Sequence, residues 1–589
     1  YTEVDTLSLH DALPIYTNTT GAQSVAIGRE ALEKSNADYN NAVGHQALEE
    51  NTTGTHNVAF GTWTLDDNTT GVNNTALGNI ALGANTTGSN NTAVGYVALD
   101  NIGTSNDNTA VGAFALTAAQ STTTRNTGIG CSALATTSTG TNNTAVGHHT
   151  LKANTTGASN VAMGSYALQA ITTNSECTAI GYEALGATTV AGQTAVGYGA
   201  MTQNTTGSGN VAVGYFAKRY GTGHDYCTAV GFEALQGTNG YNNADNNTAI
   251  GYRALYANQG GTGLTAVGKD ALKANTTATN NSAFGRTALY SNTTGGNNTG
   301  LGVNALYANT TGAQNTAVGL SALEQNNGSN NTALGYQAAL SNTTASNSVA
   351  IGYNALYANT TGAENIAIGA YALDANTTGG SNTALGVSAL GKNTTASNNT
   401  AIGYDALKEN TTGDLNVAIG VGALDAAQTA DRNVAVGKDA LTAYTATGDT
   451  YTVAIGFNAL GATTTGSSNT AVGGQALGSN TTGANNTSVG YYALFSNTTA
   501  GGNTAIGKAA LYSNTTGASN TAVGFNALDA NTTAQRNTGV GYDAMGVNTT
   551  GNYNTAIGSY ALDANTTGDN NVAVGDASLS SNTTGTENT

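Results

Sequence analysis

The amino-acid sequence predicts an all-β chain: an elongated parallel β-roll or β-solenoid of about 33 coils with a 17-residue period. Three observations predict it. The stretch NTALGYQAALSNTTASNSVAIGYNALYANTTG, Asn331 to Gly362, says nearly the same thing twice, and the chain around it repeats the theme. Glycines of A-V-G or A-I-G type recur from Gly28 to Gly575 at steps that are mostly 17, with long steps of 18 (Gly112 to Gly130), 19 (Gly437 to Gly456) and 20 (Gly231 to Gly251). A β-branched column stands three residues before each anchor glycine: Thr in 21 units, Val or Ile in ten. A period this regular overrides the several domains that length alone would suggest, and describes an array whose units contact mainly their neighbours.

The first element of each unit is a short strand. Thr, Val and Ile are stiff at χ1 and suit a pleated strand. Position −2 is Ala in 29 units, and position −1 is Val, Ile, Leu, Phe or Met in all 33. Alternation places −3 and −1 on one face and the small residue on the other. The exchange of Thr with Val suggests a half-buried column, and the bare Ala/Gly face suggests close approach of something else.

The second element follows from Ala at +3 in 30 units and Leu at +4 in 29. A bend near +1 and +2 would let the apolar −1 and +4 side chains both point inward. A-L then opens a second short strand, preferred over a single helical turn because one turn does not stand alone. The N-T-T-G segment supplies the turn, with Gly at positive φ and Asn tolerating it. Stacking like over like turns the Asn column at −4, present in 26 units, into a side-chain amide ladder.

Apolar burial inside one slender coil falls short of the entropy of ordering its residues. The unused Ala/Gly face is where further packing, against other copies of the chain, is expected.

The units SVAIGREAL (Ser24 to Leu32), SVAIGYNAL (Ser348 to Leu356) and QTAVGYGAM (Gln193 to Met201) resemble head repeats of trimeric autotransporter adhesins, and similar arrays occur in tail-fibre-like surface proteins. The resemblance covers nearly the whole chain from Ser24 onward. It implies a left-handed parallel β-roll, a homotrimer of chains packed side by side, and adhesion to host or matrix surfaces. The family's head repeat is shorter than 17 residues, and no neck, heptad stalk or membrane-anchoring barrel is recognisable in the sequence.

Composition agrees with an extracellular or cell-surface fibre, or a phage particle. Charged residues make up only 8%, and the formal charge of −18 argues against nucleic acid or an anionic membrane as a partner. No apolar run is long enough to span a bilayer, so no direct membrane insertion is expected of this fragment. The first fifteen residues, YTEVDTLSLHDALPI, fit no column and back-translate to the end of a short-read sequencing adapter; they are expected to be an assembly artefact, as in a metagenomic fragment. Residues 16–23 form a partial repeat, and 24–589 a continuous array that stops inside a repeat.

Catalytic, metal and cofactor residues are not expected, and the chain reads as no enzyme. His148 and His149 are adjacent, but no Cys or carboxylate cluster joins them. Cys177 and Cys227 replace the ladder Asn three coils apart, too far for a disulfide, and the cysteines read as buried, inert thiols. GLTAVGKD and GNTAIGKA mimic a phosphate-binding loop but lack its Ser or Thr. Position +1 is more informative: it is Tyr in ten units and Phe in three, and Tyr182, Tyr198, Tyr215, Phe232 and Tyr252 occupy consecutive units. Stacked on a rod, these rings could bind a glycan or a protein surface, or simply stabilise neighbouring coils. The leading expectation is a structural surface fibre or adhesin. The alternatives are an ice- or crystal-binding solenoid using the Thr rows, weakened by their exchange with Val, and a phage tail-fibre shaft.

Overall fold

A computed structural model describes residues 22–238 and 244–589. Those up to Gly296 form one compact unit and those from Asn297 onward a second. Both are parallel β-solenoids, and no helix occurs among the described residues. Sixteen three-residue strands stack in the first unit, from Val25–Ile27 to Ser282–Phe284. Seventeen stack in the second, from Thr299–Leu301 to Val572–Val574. Register is strict: Thr92 pairs with Thr109, Ala93 with Ala110 and Val94 with Val111, and in the second unit Thr383, Ala384 and Leu385 pair with Thr400, Ala401 and Ile402. The 17-residue period is therefore the circumference of one coil.

The strand faces are the reverse of the expectation. The −2 alanines, Ala93, Ala110 and Ala401 among them, are fully buried. The −3 and −1 side chains point outward, and Phe60 and Leu334 are 54% and 47% exposed. The reason is thickness. A Cβ built at Gly128, a −2 position, would sit 3.5 Å from Leu116 Cδ1, the +4 leucine of the preceding coil, and one at Gly539 would sit 3.3 Å from Leu528 Cδ1. With a leucine on one wall, only a methyl fits opposite. The coil thus closes its own core with Ala −2, Ala +3 and Leu +4, and the small-residue face is not free to meet another chain.

The second element also differs. From +1 to +6 the chain runs through consecutive turns rather than a strand or a helical turn. Residues +2 and +4 both take left-handed φ, for example Glu30 at 61° and Leu32 at 51°. That conformation costs roughly 1–2 kcal/mol for an L-residue. It is held because it sends successive N–H groups in opposite directions along the stack: Gln46 N donates to Arg29 O of the previous coil at 2.9 Å, and Leu32 N to Ala47 O of the next at 3.0 Å.

The anchor glycines have φ near +135° and no room for a side chain; a Cβ on Gly403 would lie 2.5 Å from the Gly420 carbonyl oxygen. The glycine of N-T-T-G does not take a positive φ, and buried alanines such as Ala278 and Ala345 stand at the same position in other coils. A Cβ at Gly54 would meet Asn51 Oδ1 at 2.6 Å, and the residue before the ladder Asn, such as Asn73 at 59°, takes the left-handed turn instead.

The 19-residue step from Gly437 to Gly456 places its extra residues in regular structure rather than in a loop. Within 443–452, Thr447–Asp449 forms a strand that pairs in parallel with Thr429–Asp431, making a small second sheet. Tyr444 and Thr452 replace both interior asparagines of that coil, and their hydroxyls lie 3.5 Å apart. The extra residues of the 20-residue step, 236–247, lie partly outside the described residues; the adapter-like segment 1–15 and most of 16–23 lie outside them altogether.

Candidate functional site: the outward faces and one unusual coil

Two buried amide ladders set the coils in register and so position everything on the surface. In the −4 column, Asn57 N donates to Asn40 Oδ1 at 2.9 Å, and Asn57 Nδ2 to Gly71 O at 2.8 Å. The second column was read from sequence only as turn residues. It is the Asn of N-T-T at +7, which is equally buried: Asn68 Nδ2 donates to Asn51 Oδ1 at 2.8 Å and to Gly71 O at 3.2 Å. Both ladders meet at one carbonyl per coil, which satisfies polar groups in a dry interior. Where Cys177 or Cys227 replaces the −4 Asn, the thiol takes over the amide's role, pointing Sγ at Val190 O and Ala244 O, each at 3.3 Å. Burial raises both thiols above their ordinary range. Cys131 is exposed.

The five aromatic residues singled out from the sequence do come together. Tyr182, Tyr198, Tyr215, Phe232 and Tyr252 form one ladder, with successive ring centroids 5.2, 5.4, 5.0 and 5.4 Å apart and planes within 9–15° of parallel. Tyr166 closes one end edge-on at 5.9 Å, and the Arg253 guanidinium lies 5.1 Å from the Tyr252 ring centre at the other. Glu183 beside Tyr182 pushes that phenol above its usual value. The ring faces are occupied by one another, so edges and hydroxyls meet solvent. The arrangement suits cross-coil stabilisation, with a row of tyrosine hydroxyls interrupted at Phe232; flat stacking of a sugar on a ring face has no open ring to use.

The outward strand face carries a Thr/Val column and a Val/Ile/Leu/Phe column side by side. Six successive threonines, Thr470, Thr487, Thr504, Thr521, Thr538 and Thr555, stand in direct parallel register. These threonines are half-buried, as the Thr/Val exchange suggested, but they stand on the outward face of the coil.

His148 and His149 stack on each other at 3.7 Å, and among the described residues no group of three His, Cys, Asp or Glu side chains converges as metal ligands would. Two charged features escaped the sequence reading. Asp66 at +5 is half-buried, and burial followed by its neighbours Asp67, Asp100 and Glu49 raises its carboxyl to about 7. Lys218 stands at +4, the leucine column, and is fully buried. A column of 29 leucines broken by one lysine was itself the signal that could have found it.

No family model matches the chain, and no curated protein is recognisably similar to it.

Proposed function

We propose that the chain is a structural surface fibre of adhesin type, which self-associates as a homotrimer and presents repeated surface for attachment to a host, matrix or partner surface. The observation that carries this reading is the outward strand face. It repeats an apolar side chain at −1 on every coil of each unit, with Phe60, Leu77, Leu301 and Leu334 well exposed. Seventeen strands at roughly 4.8 Å spacing and about 10 Å width give the second unit some 800 Å² of such surface, the share one partner contributes to a standard interface. A core one side chain thick adds a reason for association, since little further apolar area is available inside. The assembly face is thus the Thr/Val–Val/Ile face, in place of the alanine face expected from sequence. Extracellular placement, and an attachment role without catalysis, belong to the same reading. The test is a binding survey of the purified chain on matrix proteins, glycan arrays and cell surfaces. Saturable binding that is lost when the outward face is charged supports it, and uniform absence of binding counts against adhesion.

A second reading gains from the structure. An in-register rank of outward threonines beside branched aliphatics is a flat, regular surface of the kind an ice or mineral lattice could match. Thermal hysteresis by the purified chain would favour that reading, and its absence would retire it.

A further inference from the structure

The coil that follows Gly214 departs from the repeat at four interior positions at once. Lys218 replaces Leu at +4, Gly221 replaces Asn at +7, His224 replaces Gly at +10, and Cys227 replaces Asn at −4 of the next anchor. The changes fit together. In an ordinary coil the +7 Asn donates its amide to Oδ1 of the +7 Asn before it, as Asn85 does to Asn68 at 2.8 Å. Gly221 has no amide to offer to Asn204. His224 fills the space instead: a Cβ on Gly221 would lie 2.5 Å from His224 Nδ1. The Lys218 amine takes the vacated place, with Nζ 3.5 Å from Asn204 Oδ1 and 3.4 Å from the His224 carbonyl oxygen. Asn204 Nδ2 is held by Gly207 O at 2.9 Å, so the carboxamide is fixed with its oxygen toward the amine.

We infer that Lys218 and Asn204 are a site of covalent modification: an intramolecular isopeptide bond that ties two adjacent coils together. A fully buried amine 3.5 Å from the oxygen of a fixed, fully buried carboxamide is a nucleophile one short side-chain movement from the acyl carbon Cγ, with water excluded. The bond that forms is Nζ–Cγ and the bond that breaks is Cγ–Nδ2. The neutral amine passes one proton to the departing nitrogen, which leaves as ammonia, and the product is a secondary amide. No oxidant or other reactant is required. Burial brings the neutral amine within reach near neutral pH: it lowers Lys218 from 10.5 to about 8, against the opposing pull of Cys227, Asp225 and Asp245. A desolvated amine readily gives up its proton in this way. Joining the pair also removes a buried charge from the leucine column.

The experiment is mass spectrometry of the purified full chain, intact and after denaturation and trypsin digestion. The expected result is a protein lighter than its sequence by one ammonia. Trypsin then passes over Lys218 and cuts after Arg219, and the resulting peptide gives no backbone fragments between Asn204 and Lys218. The Lys218→Arg variant should have its full sequence mass. An unmodified mass overturns the inference. So does an ammonia loss with Lys218 still cleaved and fragments running through 205–217, which would mark a cyclised asparagine. Both readouts are taken on the native chain, so they stand even if the variant fails to fold.

Discussion

The carboxamide and backbone N–H of Asn399 together link three coils. Its Nδ2 donates to Gly413 O at 2.8 Å, its Oδ1 accepts from Asn416 N at 2.8 Å, and its own backbone N donates to Asn382 Oδ1 at 3.0 Å. All of this happens out of contact with water, so the ladder is obligatory rather than decorative. Asn399→Ala leaves the Asn416 backbone N–H unpaired in the interior, at roughly 1–3 kcal/mol, while Gly413 O keeps its bond from Asn410 Nδ2 at 3.0 Å. The denaturant midpoint should fall, and amide exchange should quicken first around Asn416. Unchanged exchange there would contradict the ladder's role.

The anchor glycines make a sharper comparison. Gly403→Ala places a methyl 2.5 Å from the Gly420 carbonyl oxygen at a φ of +136°. Gly448→Ala has a φ of +73° and meets nothing within 4 Å. The second change should cost about 1 kcal/mol, the ordinary penalty of a left-handed residue. The first should prevent the coil from closing and lower the thermal midpoint by many degrees. Equal effects would mean that stacking distance does not select the glycine.

Asp66 makes stability fall as pH rises. Its carboxyl is near 3.8 in the unfolded chain and about 7 in the fold, so between those values the folded state holds a proton that the unfolded state has released. The stabilisation is complete below about pH 4 and is lost as pH climbs through 7. Asp66→Asn should flatten that part of the stability–pH curve, read by thermal melts at pH 5 and pH 8. An unchanged slope would place the proton elsewhere.

The aromatic ladder yields a prediction through its centre. Tyr215→Ala removes the ring shared by two stacked pairs, each worth about 0.5–1.5 kcal/mol beyond burial. The first unit should lose stability locally without unfolding. The same change at Tyr404, outside that run, should cost less. An equal cost would show that the ring-on-ring contacts contribute nothing.

Much of this fold was legible in the sequence. Period, strand position, parallel register, the −4 amide ladder and the aromatic stack all follow from columns in which one residue type sits above itself. The direction each column faces was not legible. A strand with Ala on one side and Val on the other reads as bulky-side-in by general rule, and only the thickness of a 17-residue coil, with Leu407 already filling the interior, reverses it. The turn segment was hidden for a related reason: left-handed leucines are rare, and no propensity scale proposes them. Asn68 was assigned to a turn because N-T-T reads as polar loop, whereas its amide is core.

The face reversal decides where the chain can associate. Ala401→Glu buries a charge against leucine and should unfold the coil, far beyond the cost of a similar change at the variable +2 residue Asp405. Leu385→Glu, Ile402→Glu and Ile419→Glu made together lie on the outward face and should leave the fold intact. Sedimentation velocity of the purified chain, with circular dichroism as a control for folding, tests the central claim most directly. The account predicts a three-chain particle for the native sequence at micromolar concentration and a folded monomer for the triple variant. A native chain that is already a stable, folded monomer would contradict it.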